Sequence, residues 1–115
     1  MLEYDQSVDE MFRALADPTR RAILEHLDQG PASVSALAEP FDLSLAAVAQ
    51  HVQVLERSRL VTTHKQGRQR LCAVDPAAVK SAEQWLRTRR TRWERRLDRL
   101  EQHLDTNNKE NRNGR

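Results

Sequence analysis

The stretch Ser44-Leu45-Ala46-Ala47-Val48-Ala49-Gln50-His51-Val52-Gln53-Val54-Leu55-Glu56-Arg57 reads as one capped helix with two faces of unlike character. Leu45, Val48, Val52 and Leu55 recur at helical spacing and make an apolar stripe. The other side carries Ala46, Ala49, Gln50, Gln53 and Arg57, small or hydrogen-bonding residues in place of the Glu/Lys mixture that solvates an ordinary surface helix. Such a face suits the major groove of DNA. Glutamine bonds an adenine edge in a bidentate way, and alanine meets a thymine methyl. Taken alone, the helix is equally compatible with a solvated surface element that happens to carry two glutamines.

Its neighbours sharpen the reading. Upstream, Ser33-Val34-Ser35-Ala36-Leu37-Ala38-Glu39 predicts a short helix opened by a capping serine and stopped by Pro40. Phe41-Asp42-Leu43 then forms a tight turn, and Ser44 caps the next helix, which is helix-turn-helix spacing. Downstream, Leu60 to Lys65 and Gln69 to Val74 have strand-like content and flank Gln66-Gly67-Arg68, where glycine permits the positive backbone angle of a hairpin tip. A helix-turn-helix followed by a basic hairpin is a winged helix. Lys65, Arg68 and Arg70 lie at or near the wing tip, placed to meet phosphate or the narrow minor groove.

Composition allows this and excludes much else. The chain has 115 residues, enough for one domain burying roughly two-thirds of its unfolded surface. Aromatic residues are 4% and charged residues 31%, so Leu, Val, Ala and Ile must build the core. Net charge is only +2, so the overall balance argues weakly for a polyanionic partner and the local distribution argues more. Acidic residues gather between 3 and 28, and seven arginines fall between 87 and 99. No apolar run approaches the ~18 residues needed to span a bilayer, and Met1-Leu2-Glu3-Tyr4-Asp5 lacks a basic region followed by an apolar one. The expected address is the cytoplasm, with no membrane partner.

Along the rest of the chain, residues 1–7 are expected to be flexible and a first helix to run from about Val8 to Ala16. Met11, Phe12 and Leu15 share one of its sides, facing a second subunit or the domain core. Asp17-Pro18 is a start signal for a second helix, whose apolar face holds Ala22, Ile23, Leu24 and Leu27 and which Gly30-Pro31 ends. Asp75-Pro76 repeats that signal for a last helix reaching about Leu104, about 43 Å by helical rise. Val79, Ala82, Leu86, Trp93, Leu97, Leu100 and Leu104 form a seam along it. So small a domain has little surface to cover that seam, so a second copy of the chain is the expected cover, giving a two-fold dimer. The arginines bordering the seam read either as a solvated face, supported by pairs such as Glu83 to Arg87, or as an electrostatic shelf for phosphates or an acidic protein. Residues 105–115 lack apolar content and are expected to form a disordered tail.

Cys72 is the single cysteine, so no intrachain disulfide is possible. It reads as a buried structural thiol, with a redox-sensing or intersubunit role as the alternative. His51 flanks the groove-facing side, placed to bond a phosphate or to pack against the preceding helix, while His26, His64 and His103 read as surface or boundary residues. No Ser/His/Asp or Cys/His arrangement, glycine-rich phosphate loop or paired carboxylate is evident, so neither catalysis nor a cofactor is expected.

In this order the pieces resemble the ArsR/SmtB family of bacterial winged-helix repressors over about residues 8–104. The resemblance is carried by Phe12 to Leu24, by Leu45 to Leu55 and by Leu60-Val61 with the Gly67-Arg68 wing. It implies a mainly α fold with a small β-hairpin, a winged helix-turn-helix with a long C-terminal dimerisation helix. It also implies a homodimeric repressor bound to a palindromic double-stranded DNA operator and released by an effector. Two departures stand out. Metal-sensing members typically carry cysteines in the helix before the recognition helix, or His and acidic ligands on the last helix. Here Val34 to Glu39 has no Cys or His, and the last helix offers only His103 with scattered Glu83, Glu94 and Asp98, so transition-metal sensing is not expected. The family usually places a serine where this chain has Ala49, which shifts base readout toward Gln50; Gln53 is expected to read bases beside it. Ser44 and Arg57 are expected to position the helix on phosphate. Two other readings compete: a protein-interaction module docking an acidic partner through the Arg-rich last helix, and an RNA-binding wing, disfavoured because the recognition face lacks stacking aromatics.

Overall fold

A computed structural model describes the backbone of residues 2–113 and the side chains of 7–111. In chain order the elements are α1 (Leu2–Leu15), α2 (Pro18–Leu27), β1 (Ala32–Ser33), α3 (Val34–Ala38), α4 (Leu45–Arg57), β2 (Val61–Gln66), β3 (Gln69–Val74) and α5 (Pro76–Asn113). The chain divides into two compact units, residues 1–82 and 83–115, with α5 contributing to both.

In the first unit, local signals set the helix boundaries. The Asp17 carboxylate accepts from the Thr19 and Arg20 amides at the start of α2, with Pro18 at a position where its missing N–H costs nothing. Ser33 Oγ accepts from Ala36 N–H and Ser44 Oγ from Ala47 N–H, each at 3.1 Å, opening α3 and α4. Asp75 Oδ1 accepts from Ala77 N–H beside Pro76. α3 ends at Ala38, ahead of Pro40, which is taken into a 3-10 turn at Glu39–Phe41, and Asp42 then adopts a left-handed conformation (φ 52°) before α4.

The end of α4 is a Schellman motif. Arg59 N–H donates to Glu56 C=O and Leu60 N–H to Leu55 C=O, both at 3.0 Å, with Arg59 left-handed at φ 66°. Leu60 then buries its side chain in the core, and its carbonyl accepts from the Asp75 amide at 2.9 Å.

β2 and β3 pair from Val61↔Val74 to Gln66↔Gln69, closing over a two-residue tip with Gly67 at φ 64°. The sheet holds a third strand that periodicity does not reveal: β1 pairs antiparallel with β3, Ala32 opposite Cys72 and Ser33 opposite Leu71, giving the order β1-β3-β2. Met11 and Ala14 of α1, Ile23 and Leu27 of α2, Leu37 of α3, Val48, Val52 and Leu55 of α4, Leu60, Val61, Cys72 and Ala82 form one core. α4 packs against α1, α2, α3 and β2, so its inner side is enclosed.

Four expectations require correction. Helix α1 starts at Leu2, ahead of the predicted Val8, so the predicted flexible start is helical from residue 2; Met1 lies outside the described residues. Leu45 is 55% exposed and not part of the buried stripe, because it stands in the first turn of α4, beyond the reach of the core. The polar segment 105–113, expected to be disordered, continues α5. Adding a residue to a formed helix needs no new nucleus, and no Pro or Gly intervenes before residue 114. Residues 114 and 115 lie outside the described part. Finally, Met11 and Ala82 are enclosed by the chain's own core at 1% and 6% exposure, which leaves them no surface for a second copy.

In the second unit α5 exposes Leu86, Trp93, Leu97, Leu100 and Leu104, and Val79 in the first unit is exposed too. The pair Arg87–Glu83 forms at 2.7 Å, Arg90–Glu94 at 3.3 Å, and Arg89 lies over the Trp85 ring. These side chains are mostly exposed, so each ion pair contributes a few tenths of a kcal/mol. No described helix is long and apolar enough to cross a membrane.

Candidate nucleic-acid interface

Burial of Val48, Val52 and Leu55 fixes the rotation of α4, and rotation decides what faces outward. Ala46, Gln50, Gln53 and Arg57, spaced 4, 3 and 4 residues apart, therefore share one exposed face, with half-buried Ala49 along its edge. Two amides and a guanidinium stand there beside two methyl groups, with no acidic side chain at those positions. A face of this kind offers donors and acceptors to base edges without adding bulk. Ser44 is exposed at the head of the helix; its oxygen is used as a cap, and its O–H remains able to donate to a phosphate.

His51 lies one position off this face and is half-buried. It is met from α2: Arg20 Nη1 lies 3.4 Å from His51 Nδ1. The same guanidinium donates from Nε to Ala14 C=O (2.7 Å) and from Nη2 to Arg13 C=O (2.8 Å), while Arg21 Nη1 donates to Leu15 C=O (2.6 Å). Two adjacent arginines thus donate to carbonyls in the last turn of α1, and one of them also reaches α4. Spacing in the sequence does not disclose this role, because the acceptors lie six and seven residues upstream and the third partner 31 residues downstream.

Asp17 completes the cluster. Its carboxylate is held below the ordinary carboxylate range, chiefly by the Arg20 N–H, with burial opposing and the Thr19 N–H and the charges of Arg20 and His51 assisting.

On the wing, Lys65 and Arg70 stand directly opposite each other on one face, and Arg68 is exposed at the tip. Like charges opposite each other on a ladder destabilise a hairpin, a cost that an anion bound between them would offset. Arg70 turns back along the strand: its Nε donates to Thr63 Oγ1 at 3.0 Å, and the Thr63 hydroxyl donates to the Glu56 carboxylate of α4. Cys72, opposite Thr63, is fully buried, and burial followed by the nearby Glu56 charge pushes its thiol up. That placement fits the structural thiol.

Of the seam residues expected to join two copies, Phe12, Val79, Leu86, Trp93, Leu97 and Leu100 are exposed, Leu15 is half-buried, and Met11 and Ala82 are enclosed as described. Among the described residues no three of His, Cys, Asp and Glu come together as a metal would require.

A short helix and turn leading into a helix with an outward polar face, followed by a basic hairpin, define a winged helix-turn-helix DNA-binding module. Residues 15–64 match the helix-turn-helix domain family model. The chain is 40% identical over 102 residues to the HTH-type transcriptional regulator Rv2034 of Mycobacterium tuberculosis, covering 88% of this chain and 92% of that one. It is 25% identical over 79 residues to the transcriptional repressor SdpR of Bacillus subtilis, covering 69% and 88%. The crystal structure of an ArsR family transcriptional regulator superimposes with a TM-score of 0.74 at 46% identity, covering 78% of this chain and 93% of its own. The protein belongs to the ArsR family of winged helix-turn-helix transcriptional regulators. It is a DNA-binding regulator; the family is not one of enzymes, and membership does not favour a module that docks an acidic partner through the Arg-rich last helix.

Proposed function

We propose that two copies of this chain associate through the exposed seam of α5, with Phe12 and Leu15 of α1 contributing, and act as a repressor on a palindromic operator. In each copy Gln50 and Gln53 read bases in the major groove, and Ala46 and Ala49 allow close approach. Ser44, His51 and Arg57 contact backbone phosphates, and Lys65, Arg68 and Arg70 grip the flanking strand. The observation that carries this reading is the outward face of α4, where Ala46, Gln50, Gln53 and Arg57 align because the opposite side is locked into the core. Repression as the mode of action is supported by likeness to a protein named as a repressor. A dimer would set its two recognition helices near one turn of DNA apart, ~34 Å.

Selection of bound fragments from the host genome tests the proposal. Recovered fragments should share an inverted repeat with half-sites about one helical turn apart. Fragments with no common motif, or a protein that sediments as a single chain at micromolar concentration, would overturn it.

A further inference from the structure

We propose that Glu56 and Thr63 are positioning residues for DNA binding, forming a relay from the recognition helix through the wing strand to Arg70. The inference rests on the wing gripping DNA, as proposed above. Its geometry is directional. A threonine hydroxyl has one proton, and here that proton goes to Glu56, so the oxygen's lone pairs face Arg70 and accept from its Nε. Thr63 and Arg70 share one face of the hairpin, the face that continues inward to buried Cys72 and Val61. The relay is therefore anchored at its base and open at its end.

Two consequences follow for an incoming phosphate. Arg70 has its Nε committed, and the terminal nitrogens keep four N–H groups in a fixed plane for bidentate contact. Ordering that takes place before binding is not charged against binding, so a held arginine grips more tightly than a free one. Glu56 would otherwise be a bare carboxylate in the last turn of the helix that enters the groove. Occupied by Thr63, and with Arg70 beyond it, it presents less repulsion to the phosphates.

The test uses the whole chain and a fluorescein-labelled duplex of random sequence, titrated by anisotropy across salt concentrations. Arg70→Ala should weaken binding and lower the salt slope by about 0.9, the value for one phosphate contact. Thr63→Val, which keeps shape and removes the hydroxyl, should weaken binding roughly threefold to tenfold, the change that corresponds to one ordinary hydrogen bond. Thr63→Ser should bind like the parent. In the Arg70→Ala background Thr63→Val should have no further effect. Without DNA, the Arg70 Nε–H resonance of nitrogen-labelled protein, identified by its loss in Arg70→Ala, should exchange slowly with water in the parent and quickly in Glu56→Ala. That measurement stands if Thr63→Val does not fold. The relay is refuted if Thr63→Val binds like the parent, if it weakens binding equally without Arg70, or if Glu56→Ala leaves the exchange unchanged. Should Arg70→Ala itself bind unchanged, the DNA-gripping wing is what fails.

Discussion

Replacing Arg59 by glycine should stabilise the protein. Arg59 occupies the left-handed position of the turn that ends α4 (φ 66°), held there by its own amide on Glu56 C=O and by that of Leu60 on Leu55 C=O. For a residue with a Cβ this conformation costs roughly 1–2 kcal/mol, and glycine escapes it. Against that, glycine gives the unfolded chain more freedom, roughly 0.5–1 kcal/mol. The balance is a gain of about 0.5–1 kcal/mol, read as a rise in Tm of roughly 2–6 °C for a domain near this size. The Arg59 side chain is exposed, so losing it removes little packing. Arg59→Ala is the control: it deletes the same side chain and keeps the Cβ, so it should stay within about 0.5 kcal/mol of the parent. Urea unfolding of the three proteins measures this, with a shifted midpoint and an unchanged slope for the glycine variant. If Arg59→Gly proves no more stable than Arg59→Ala, the turn is not strained and the reasoning fails.

Four further outcomes are expected. Gln50→Ala should reduce discrimination between operator and random duplex by ~1–3 kcal/mol, while Arg68→Ala weakens both alike and lowers the salt slope by about 0.9; competition titrations separate the two. Leu97→Asp places a charge on the half-exposed seam and should weaken self-association on the order of 100-fold by sedimentation, since an unpaired carboxylate would have to be desolvated. Cys72 should resist maleimide in the native protein and react on unfolding, because burial both shields the thiol and raises its pKa; mass spectrometry before and after urea records this. Asp17 has a folded pKa below its ordinary 3.8, so its stabilisation is fully present above that value and disappears as pH falls through the lower folded one. The gap in Tm between parent and Asp17→Ala should accordingly be larger at neutral pH than well below pH 3.8.

What the sequence made legible was local in origin. Asp17, Ser33, Ser44 and Asp75 cap helices through amides two or three residues away, and each is visible as a short polar residue before a helical pattern. Gly67 at the wing tip and the outward face of α4 follow from backbone freedom and from a 3.6-residue period in the same way. Contacts that join distant segments left no such trace. β1 is two residues long and its partner lies about 40 positions away, so no alternation announces it. Arg20 reads as an ordinary surface cation until the chain folds and brings the end of α1 and His51 to it. Met11 belongs to an apolar pattern that fits a subunit contact as well as a core, and only packing decides between them.

Leu60 is a shared fastening point. Its amide closes the recognition helix, its side chain sits in the core, and its carbonyl receives the amide of Asp75 at the head of α5. Two main-chain hydrogen bonds therefore tie the head of α5 to the tail of α4, with no side chain between them. Because the linkage is written in peptide groups, ordinary substitution does not erase it; proline at 60 or 75 would, by deleting an N–H. The surface around this joint can therefore be re-engineered freely while the joint itself stays closed.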